Sequence, residues 1–441
     1  MNFIQSISSS KKNYIVTIAA EFVILLAGLL VYKMASNQYG NNGFSEYALC
    51  RRSVSFIFPL LMLGMGVGIP RYISIISMNN DKDKESNYFI SGLIILFIMY
   101  IFCVCFLIAF RSFFAYIMFG QEKYSYMILP ICIMIGGFVF HAACYSFYRG
   151  KLQMIKANTL QLINLGIAPV IAFLFAETIP MLLVISGIVN IIVTGLFFLF
   201  MFTHSLSIGT FADSLSRNIK IFKQCSKDLL IYGFQRVPGD IGIAAFFSIP
   251  AFFASHISGI IVAGYVAFGV SLLNMAGAAF GPICLIVLPE AGKIISSNNI
   301  KKLKQYSDKI LKWTLILTIT GVVIFEALAD FIIKIYLGNG YEELVNISRV
   351  IIIGSLGYTV YISLRSILDA FFVKAINTKN IFISLIFFTF LLFIIRLIIS
   401  DYWSIIYAFT LSMLLLGILT FNEVEKIFKK NDLAIPDEIK N

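Results

Sequence analysis

Of the 441 residues, 59% are hydrophobic and only 13% charged, and the mean hydropathy is +0.90. No water-soluble domain hides that much apolar surface, so a soluble enzyme or binding module is excluded. The net charge of +11 then concerns where Lys and Arg sit along a membrane chain, and nucleic acid is not expected as a partner.

A membrane-crossing helix needs about 20 mostly apolar residues. Twelve such stretches are predicted: 13–35, 46–70, 88–110, 125–148, 158–176, 179–202, 229–254, 257–288, 310–331, 347–371, 379–398 and 402–421. The expected fold class is therefore all-α and polytopic. Its parts are a first six-helix lobe (1–202), a connecting loop (203–228), a second six-helix lobe (229–421) and a short polar tail (422–441). The first stretch follows Lys11-Lys12 but is too long for a signal-peptide core, so it is read as uncleaved.

With an even number of spans both termini share one side. If that side is the cytoplasm, 24 Lys and Arg fall in cytoplasmic connections and termini, against Lys33, Arg111, Lys123, Lys334 and Arg396 outside. The imbalance sets both termini inside and gives the chain an attraction for anionic membrane lipids. In the connecting loop, basic residues at 217, 220, 223 and 227 share a helix face. They read as an amphipathic helix on the inner leaflet or as a solvated linker.

The first span carries Glu21, with no charged neighbour in sequence. A charge at mid-membrane costs roughly 2.5–3.5 kcal/mol on insertion scales, so such groups usually face protein or water. Glu21 is a candidate for proton or sodium coupling, or else pairs with an Arg from another helix. The second span holds Arg51-Arg52 near its outer end and closes on Gly64-Met-Gly-Val-Gly-Ile-Pro-Arg71. Either Arg could snorkel to the interface, and the glycines permit close packing or a bend. The seventh span opens with Arg236 and Asp240 around Pro238. Spacing of four puts both charges on one face, and the proline invites a kink. The pair either serves function or packs the bundle. Arg365 and Asp369 repeat that spacing in the tenth span.

The halves superimpose at an offset of 219, which takes Glu21 to Asp240, Gly40 to Gly259, Pro70 to Pro289 and Asn158 to Asn377. Two six-helix halves inserted in the same direction point to a duplicated transporter. The seven Cys (50, 103, 105, 132, 144, 225, 284) lack paired spacing, and the three His (141, 204, 256) are far apart. Neither a metal site nor a catalytic group is expected, and the chain is read as a non-enzyme. No Gly-x-x-x-x-Gly-Lys-Ser/Thr occurs, which argues against an ATP-driven pump. The first outer loop, 36–45, has no Asp or Glu, which argues against a metal-dependent sugar-phosphate transferase.

Several stretches together resemble a family. Tyr232-Gly-Phe-Gln-Arg-Val-Pro-Gly-Asp240 is similar to the opening of the second half in Wzx-type polysaccharide flippases. Tyr148-Arg-Gly-Lys-Leu-Gln-Met-Ile-Lys-Ala-Asn158 resembles the basic loop after their fourth helix. Gly68-Ile-Pro-Arg-Tyr72, Leu288-Pro-Glu290, and Arg365-Ser-Ile-Leu-Asp369 followed by Asn377 fit the ends of the second, eighth and tenth helices. The resemblance implies the multidrug/oligosaccharidyl-lipid/polysaccharide (MOP) exporter fold, related to the MATE transporters, working by alternating access in the bacterial cytoplasmic (inner) membrane. It implies an oligosaccharide repeat unit on undecaprenyl pyrophosphate as cargo, for O-antigen lipopolysaccharide or a related surface polysaccharide. A polysaccharide polymerase and a chain-length regulator are the implied protein partners. The expected pyrophosphate-binding cavity uses Arg51, Arg52, Arg236 and Arg365, because guanidinium forks hydrogen-bond phosphate in pairs and stay charged. Asp240 and Asp369 would set the neighbouring Arg, with Glu21 the ion-coupling candidate. The rival readings are a multidrug exporter of the same fold, a peptidoglycan-precursor flippase, and a membrane polymerase or ligase. The last expects a large outer loop, and none is present.

Overall fold

The computed structural model describes residues 2–77, 81–204, 219–297, 299–372 and 375–431. Hydrocarbon gives a backbone amide no hydrogen-bond partner, so a chain this apolar satisfies its backbone inside each segment, as a helix does. Among the described residues there is no strand.

Two compact units emerge from the packing, Met1–Ser248 and Ile249–Asn441. The first holds α1 (Asn2–Met62), α2 (Met65–Ser77), α3 (Lys82–Ala109), α4 (Arg111–Phe119) and α5 (Ile128–Gly150). After these come α6 (Met154–Gln161), α7 (Ala168–Ala172), α8 (Ile179–His204), α9 (Ile219–Phe234) and the head of α10 (Val237–Ser296). The second holds the rest of α10, then α11 (Ile300–Leu337), α12 (Glu342–Ile353), α13 (Ser355–Phe371), α14 (Ile376–Arg396) and α15 (Trp403–Asn431). The sequence repeat counts 229–248 with the second half, whereas packing groups it with the first.

Among the described residues nine helices are long and apolar enough to cross a membrane, ten when α12 and α13, bent by 42° at their junction, count as one. Two of these are double length. Val16–Met62 has 47 residues and Val237–Gly281 has 45, about 70 Å each at 1.5 Å per residue, against a hydrocarbon layer of about 30 Å. Each therefore holds two crossings, which brings the total to twelve.

The reversal inside α1 is visible in its contacts. In one straight helix Tyr32 and Tyr47 would stand roughly 22 Å apart; their rings lie 5.2 Å apart, and Tyr32 and Phe44 are 5.6 Å apart. The chain doubles back at Gly40, whose φ of 65° and ψ of −165° fall where essentially only glycine is at ease. Gly259 in α10 has φ 80° and ψ −174°, 219 residues later. The duplication is thus written into the backbone at the offset that pairs the sequence halves. A second echo lies where helices cross. Gly137 of α5 meets the carbonyl of Gly187 in α8, and Gly357 of α13 meets Met413 and Leu414 of α15.

Short contacts tie the connections of the first unit. At one end Gln38 and Tyr39 donate to the Ala176 carbonyl at 2.9 and 2.7 Å. At the other, Glu85 is buried and pairs with Lys151 at 2.5 Å while accepting from the Ser77 hydroxyl. Asp81 caps α3, accepting the Lys84 backbone N–H at 3.1 Å. That bond holds its carboxyl below the usual range.

Three expectations change. Pro238 lies in the first turn of α10, where its missing N–H costs no ladder bond. The seventh span is instead interrupted just before it, at Gln235 and Arg236. The glycines after Met62 both bend the chain and permit close packing. Leu63 and Gly64 have φ of 43° and 73°, and Gly64 sits against Gly233 of α9, where a Cβ would come within 2.7 Å of the Gly233 Cα. Finally, the polar tail expected from 422 is helical to Asn431. Val424, Ile427 and Phe428 bury themselves in a core with Val287, Leu303 and Leu364.

A side chain at Gly40 or Gly259 meets open space, so the penalty there is conformational alone, about 1–3 kcal/mol. Gly40→Val and Gly259→Val are each expected to lower the melting temperature of the purified protein, while Gly28→Ala, with nothing nearby and helical backbone, leaves it unchanged or raises it. At the second break the penalty is steric. Gly233→Ala drives a methyl into the Leu63 carbonyl, whereas Gly66→Ala reaches only the Met62 methyl at 3.6 Å. The same melting experiment is expected to show a large loss for the first and little for the second.

Candidate functional site

Where the structure places the charged candidates decides what they can do. Glu21 lies on the first limb of α1 and is not alone. Gln161, at the C-terminal end of α6, donates to its Oε1 at 3.0 Å. One turn earlier on each helix Asn158 donates to Thr17 Oγ1 at 3.0 Å. Residues some 140 positions apart thus build a polar seam, and the partner of Glu21 is a neutral amide.

The seam continues into the lobe. After Gln161 the helix widens into a π turn, Leu162–Ile167, a distortion that often marks function. Asn164 in that turn is fully buried and its amide nitrogen lies 2.8 Å from Thr194 Oγ1 and 3.0 Å from His141 Nδ1. Asn190 on α8, one turn before Thr194, is also fully buried, and among the described residues neither atom of its amide is paired; nor are Asn164 Oδ1 and Gln161 Oε1. Each unmet buried polar atom costs about 1–3 kcal/mol. Sequence reading missed this seam. Its signal was faint: Asn158, Gln161 and Asn164 at spacings of three, one helical face of polar residues in an apolar span.

The arginines divide by their partners. Arg52, on the second limb of α1, is 6% exposed, so it does not snorkel to lipid, and its carbonyl accepts from Ser248 at 3.2 Å. Arg51 is half-buried and donates to the Tyr47 hydroxyl at 3.3 Å. Among the described residues it is in no ion pair. Arg349, by contrast, meets Asp330 at 2.6 Å and Glu326 at 3.7 Å and is a compensated structural cation. In the second unit, Arg365 lies 5.9 Å from the Tyr361 ring. Asn377 links it to Asp369, donating to the Arg365 carbonyl at 3.0 Å and the Asp369 carboxylate at 2.7 Å.

Arg236 occupies the break between α9 and α10, exposed, with Asp240 one turn on and donating its N–H to the Arg236 carbonyl at 3.1 Å. Its guanidinium lies 5.2 Å from the Tyr232 ring centre, and that of Arg71 lies 4.3 Å from the same ring. The two guanidinium carbons are therefore no more than about 10 Å apart. At that distance like charges repel by at least ~1.7 kcal/mol at an effective dielectric near 20, while each gains about 0.5–1 kcal/mol from the ring. Attraction and repulsion nearly cancel. Tyr72 meets Tyr232 edge-on at 6.2 Å and stacks on Tyr88 at 4.8 Å. The carboxylate of this cluster, Asp228, is taken by Tyr88 at 2.7 Å and Gln224 at 2.8 Å. From sequence Arg71 was a membrane-edge charge within the stretch Gly68–Tyr72 and was given no cargo role; the helices that carry it and Arg236 approach each other at Gly64 and Gly233.

The helix expected in the connecting loop exists as α9, but not as a free surface helix. Cys225 and Leu229 are buried, Leu229 against Gly68 and Gly92, with Lys223 and Lys227 on the exposed side. Arg217 lies outside the described residues. No group of three or more His, Cys, Asp or Glu among the described residues gathers to hold a metal ion.

No family model matches this chain, and no curated protein matches it in sequence. Solved structures do match in fold. An inward-facing multidrug-resistance MATE-family transporter of the MOP superfamily superposes with a TM-score of 0.72 at 13% identity, covering 96% of this chain and 100% of the other. Lipid II flippase MurJ in an inward closed conformation gives 0.67 at 17% identity, covering 94% and 89%. A MOP-superfamily transporter from Pyrococcus furiosus, described as having a binding pocket of reverse polarity, gives 0.63 at 15% identity, covering 96% and 95%. At these identities the likeness is one of fold. The chain is a multi-pass membrane protein with the helical fold of MATE/MOP transporters, a fold whose solved members include both exporters and a flippase.

Proposed function

We propose that this chain is a flippase for an oligosaccharide repeat unit carried on a lipid diphosphate. The carrier is undecaprenyl pyrophosphate and the route runs from the cytoplasmic to the outer leaflet of a bacterial inner membrane, by alternating access. The observation that carries this reading is Arg51, a guanidinium within a membrane span whose hydrogen bond goes to a neutral tyrosine and which among the described residues has no carboxylate. A fixed positive charge at that depth favours an anionic cargo and opposes a cationic drug. MurJ, named for flipping lipid II, supports the reading through its shared fold, and the P. furiosus transporter supports the idea that pocket polarity varies on this scaffold. The multidrug reading shares the fold equally, and Glu21 is the feature that favours it.

Moving sugars and a diphosphate through hydrocarbon exposes polar groups at several kcal/mol each, and a polar path through protein removes that barrier. Arg51 and Arg52, Arg236 and Arg365 are the proposed diphosphate ligands along the path, with Asp240 and Asp369 orienting the last two. Glu21 is the proposed proton- or sodium-coupling group. The unpaired acceptors Asn164 Oδ1 and Gln161 Oε1 suit a proton-carrying water or a small cation near it.

Deletion of the gene is expected to abolish surface glycan and accumulate complete lipid-linked repeat units on the inner leaflet. Arg51→Gln is expected to cut glycan export at least tenfold at wild-type protein level, read on a polysaccharide gel. Glu21→Gln keeps an acceptor for Gln161 but removes the titratable charge, and is expected to leave lipid-diphosphate binding intact while stopping export. Unchanged glycan in the deletion strain would move the assignment to small-molecule export.

A further inference from the structure

We infer that Arg71, Tyr232 and Arg236 form a loading site for the cargo diphosphate at the end of the first unit that carries the basic connections, ahead of any site deeper in the membrane. The inference rests on the flippase reading for its cargo and on local geometry for its ligand.

Three features of the cluster lead to it. Two guanidiniums lie 4.3 and 5.2 Å from one tyrosine ring, on helices that meet through glycine backbone at Gly64 and Gly233. Both are exposed, and among the described residues neither is in an ion pair. The nearby carboxylates, Asp228, which accepts from Tyr88 and Gln224, and Asp240, one turn past Arg236, keep their charge, but neither guanidinium is in an ion pair with them among the described residues. A single phosphate can be held by one fork, whereas two forks near one ring provide a pair of hydrogen bonds for each of two phosphoryl groups. Tyr232 works as the spacer: it orders both long side chains before the ligand arrives, which reduces the entropy lost on binding.

The site also sits at a break in the helix. Gln235 and Arg236 separate α9 from α10, and the Arg236 N–H turns back to the Gly233 carbonyl at 2.9 Å. Arg236 is thus held at a joint, while Arg71 sits on a continuous helix. Any change in the angle between α9 and α10 would alter the spacing of the two forks, so the ligand and the joint are coupled. The ligand chemistry, a phosphate ester at a membrane surface, could also come from an anionic phospholipid, and the experiment separates the two.

The test uses the purified full chain and calorimetric titration with three probes: farnesyl diphosphate, inorganic pyrophosphate, and phosphatidylglycerol in nanodiscs. Farnesyl diphosphate is expected to bind, and Arg71→Gln and Arg236→Gln are each expected to weaken it at least tenfold. The double variant should lose little more than either single. Tyr232→Leu keeps both charges and is expected to lose affinity about as much as one arginine. Arg71→Lys and Arg236→Lys, which keep the charge but not the fork, serve if the glutamines melt early, and are expected to weaken binding severalfold. Lys312→Gln, which removes an exposed cation of the second unit, should bind as wild type.

Equal affinity in wild type and variants would overturn the site, as would no binding of farnesyl diphosphate or pyrophosphate by wild type. Loss that appears equally with phosphatidylglycerol would also overturn it, assigning the arginines to bulk lipid. The flippase reading fails separately: diphosphate binding that depends on Arg71 and Arg236, together with unchanged glycan in a deletion strain, would keep the site and reassign its cargo.

Discussion

A hydrocarbon layer about 30 Å deep that offers no hydrogen-bond partners is the constraint from which this structure follows. It forces the backbone into helices, and it limits how far a helix can run before the chain must turn. The double-length helices answer that limit with one residue each. Gly40 and Gly259 take a backbone conformation open to glycine, and everything downstream inherits its direction from them. Because the two glycines share backbone angles as well as register, the duplication is physical. The same problem, reversing an apolar helix without a polar loop, is solved twice with the same residue.

The same absence of water governs the polar side chains. In the first unit the seam of Thr17, Glu21, Asn158, Gln161, Asn164, Thr194 and His141 makes bonds between residues far apart in sequence. A carboxylate in such a setting would be expected to recruit an arginine. Glu21 instead has an amide that can meet either protonation state, since a glutamine offers both a donor and an acceptor. An arginine would have fixed the charge. The seam also leaves Asn190 and two neighbouring acceptors without a protein partner among the described residues, and buried polar atoms of that kind call for water or a ligand. Arg349, with two carboxylates close by, shows what the chain does when it wants a cation silenced.

Much of the fold was legible because its causes are local. Runs of apolar residues mark spans, Lys and Arg mark ends, and glycine with a distinctive role marks turns. Gly40 and Gly259 could be paired from sequence before their geometry was known. What was not legible depends on contacts between helices. Pro238 reads as a kink until the helix is seen to begin beside it, which turns a breaker into a favoured first-turn residue. Phe428 reads as tail until the core that receives it is built from Val287 and Leu364. Glu21 reads as solitary because periodicity sees only three or four residues either way, and its partner lies 140 residues on.

The candidate site shows the same division. Arg236 stood out in the sequence as an arginine beside a proline and a glycine in an apolar span, with bundle packing as its alternative reading. Its partner was not, because Arg71 looks like any positive charge at a membrane edge. Only the close approach of Gly64 to Gly233 puts both on Tyr232. This carries a consequence for how cargo sign is set on a shared scaffold. Fold likeness leaves a cation exporter and a lipid-diphosphate flippase level, since both need two lobes and a path between leaflets. Charge does not leave them level. If cargo enters past Arg71 and Arg236, a cation would be repelled by two guanidiniums that form no ion pair among the described residues, whereas a diphosphate would relieve the repulsion between them. Electrostatics at the entrance can therefore select the cargo without any change in the helices that move it.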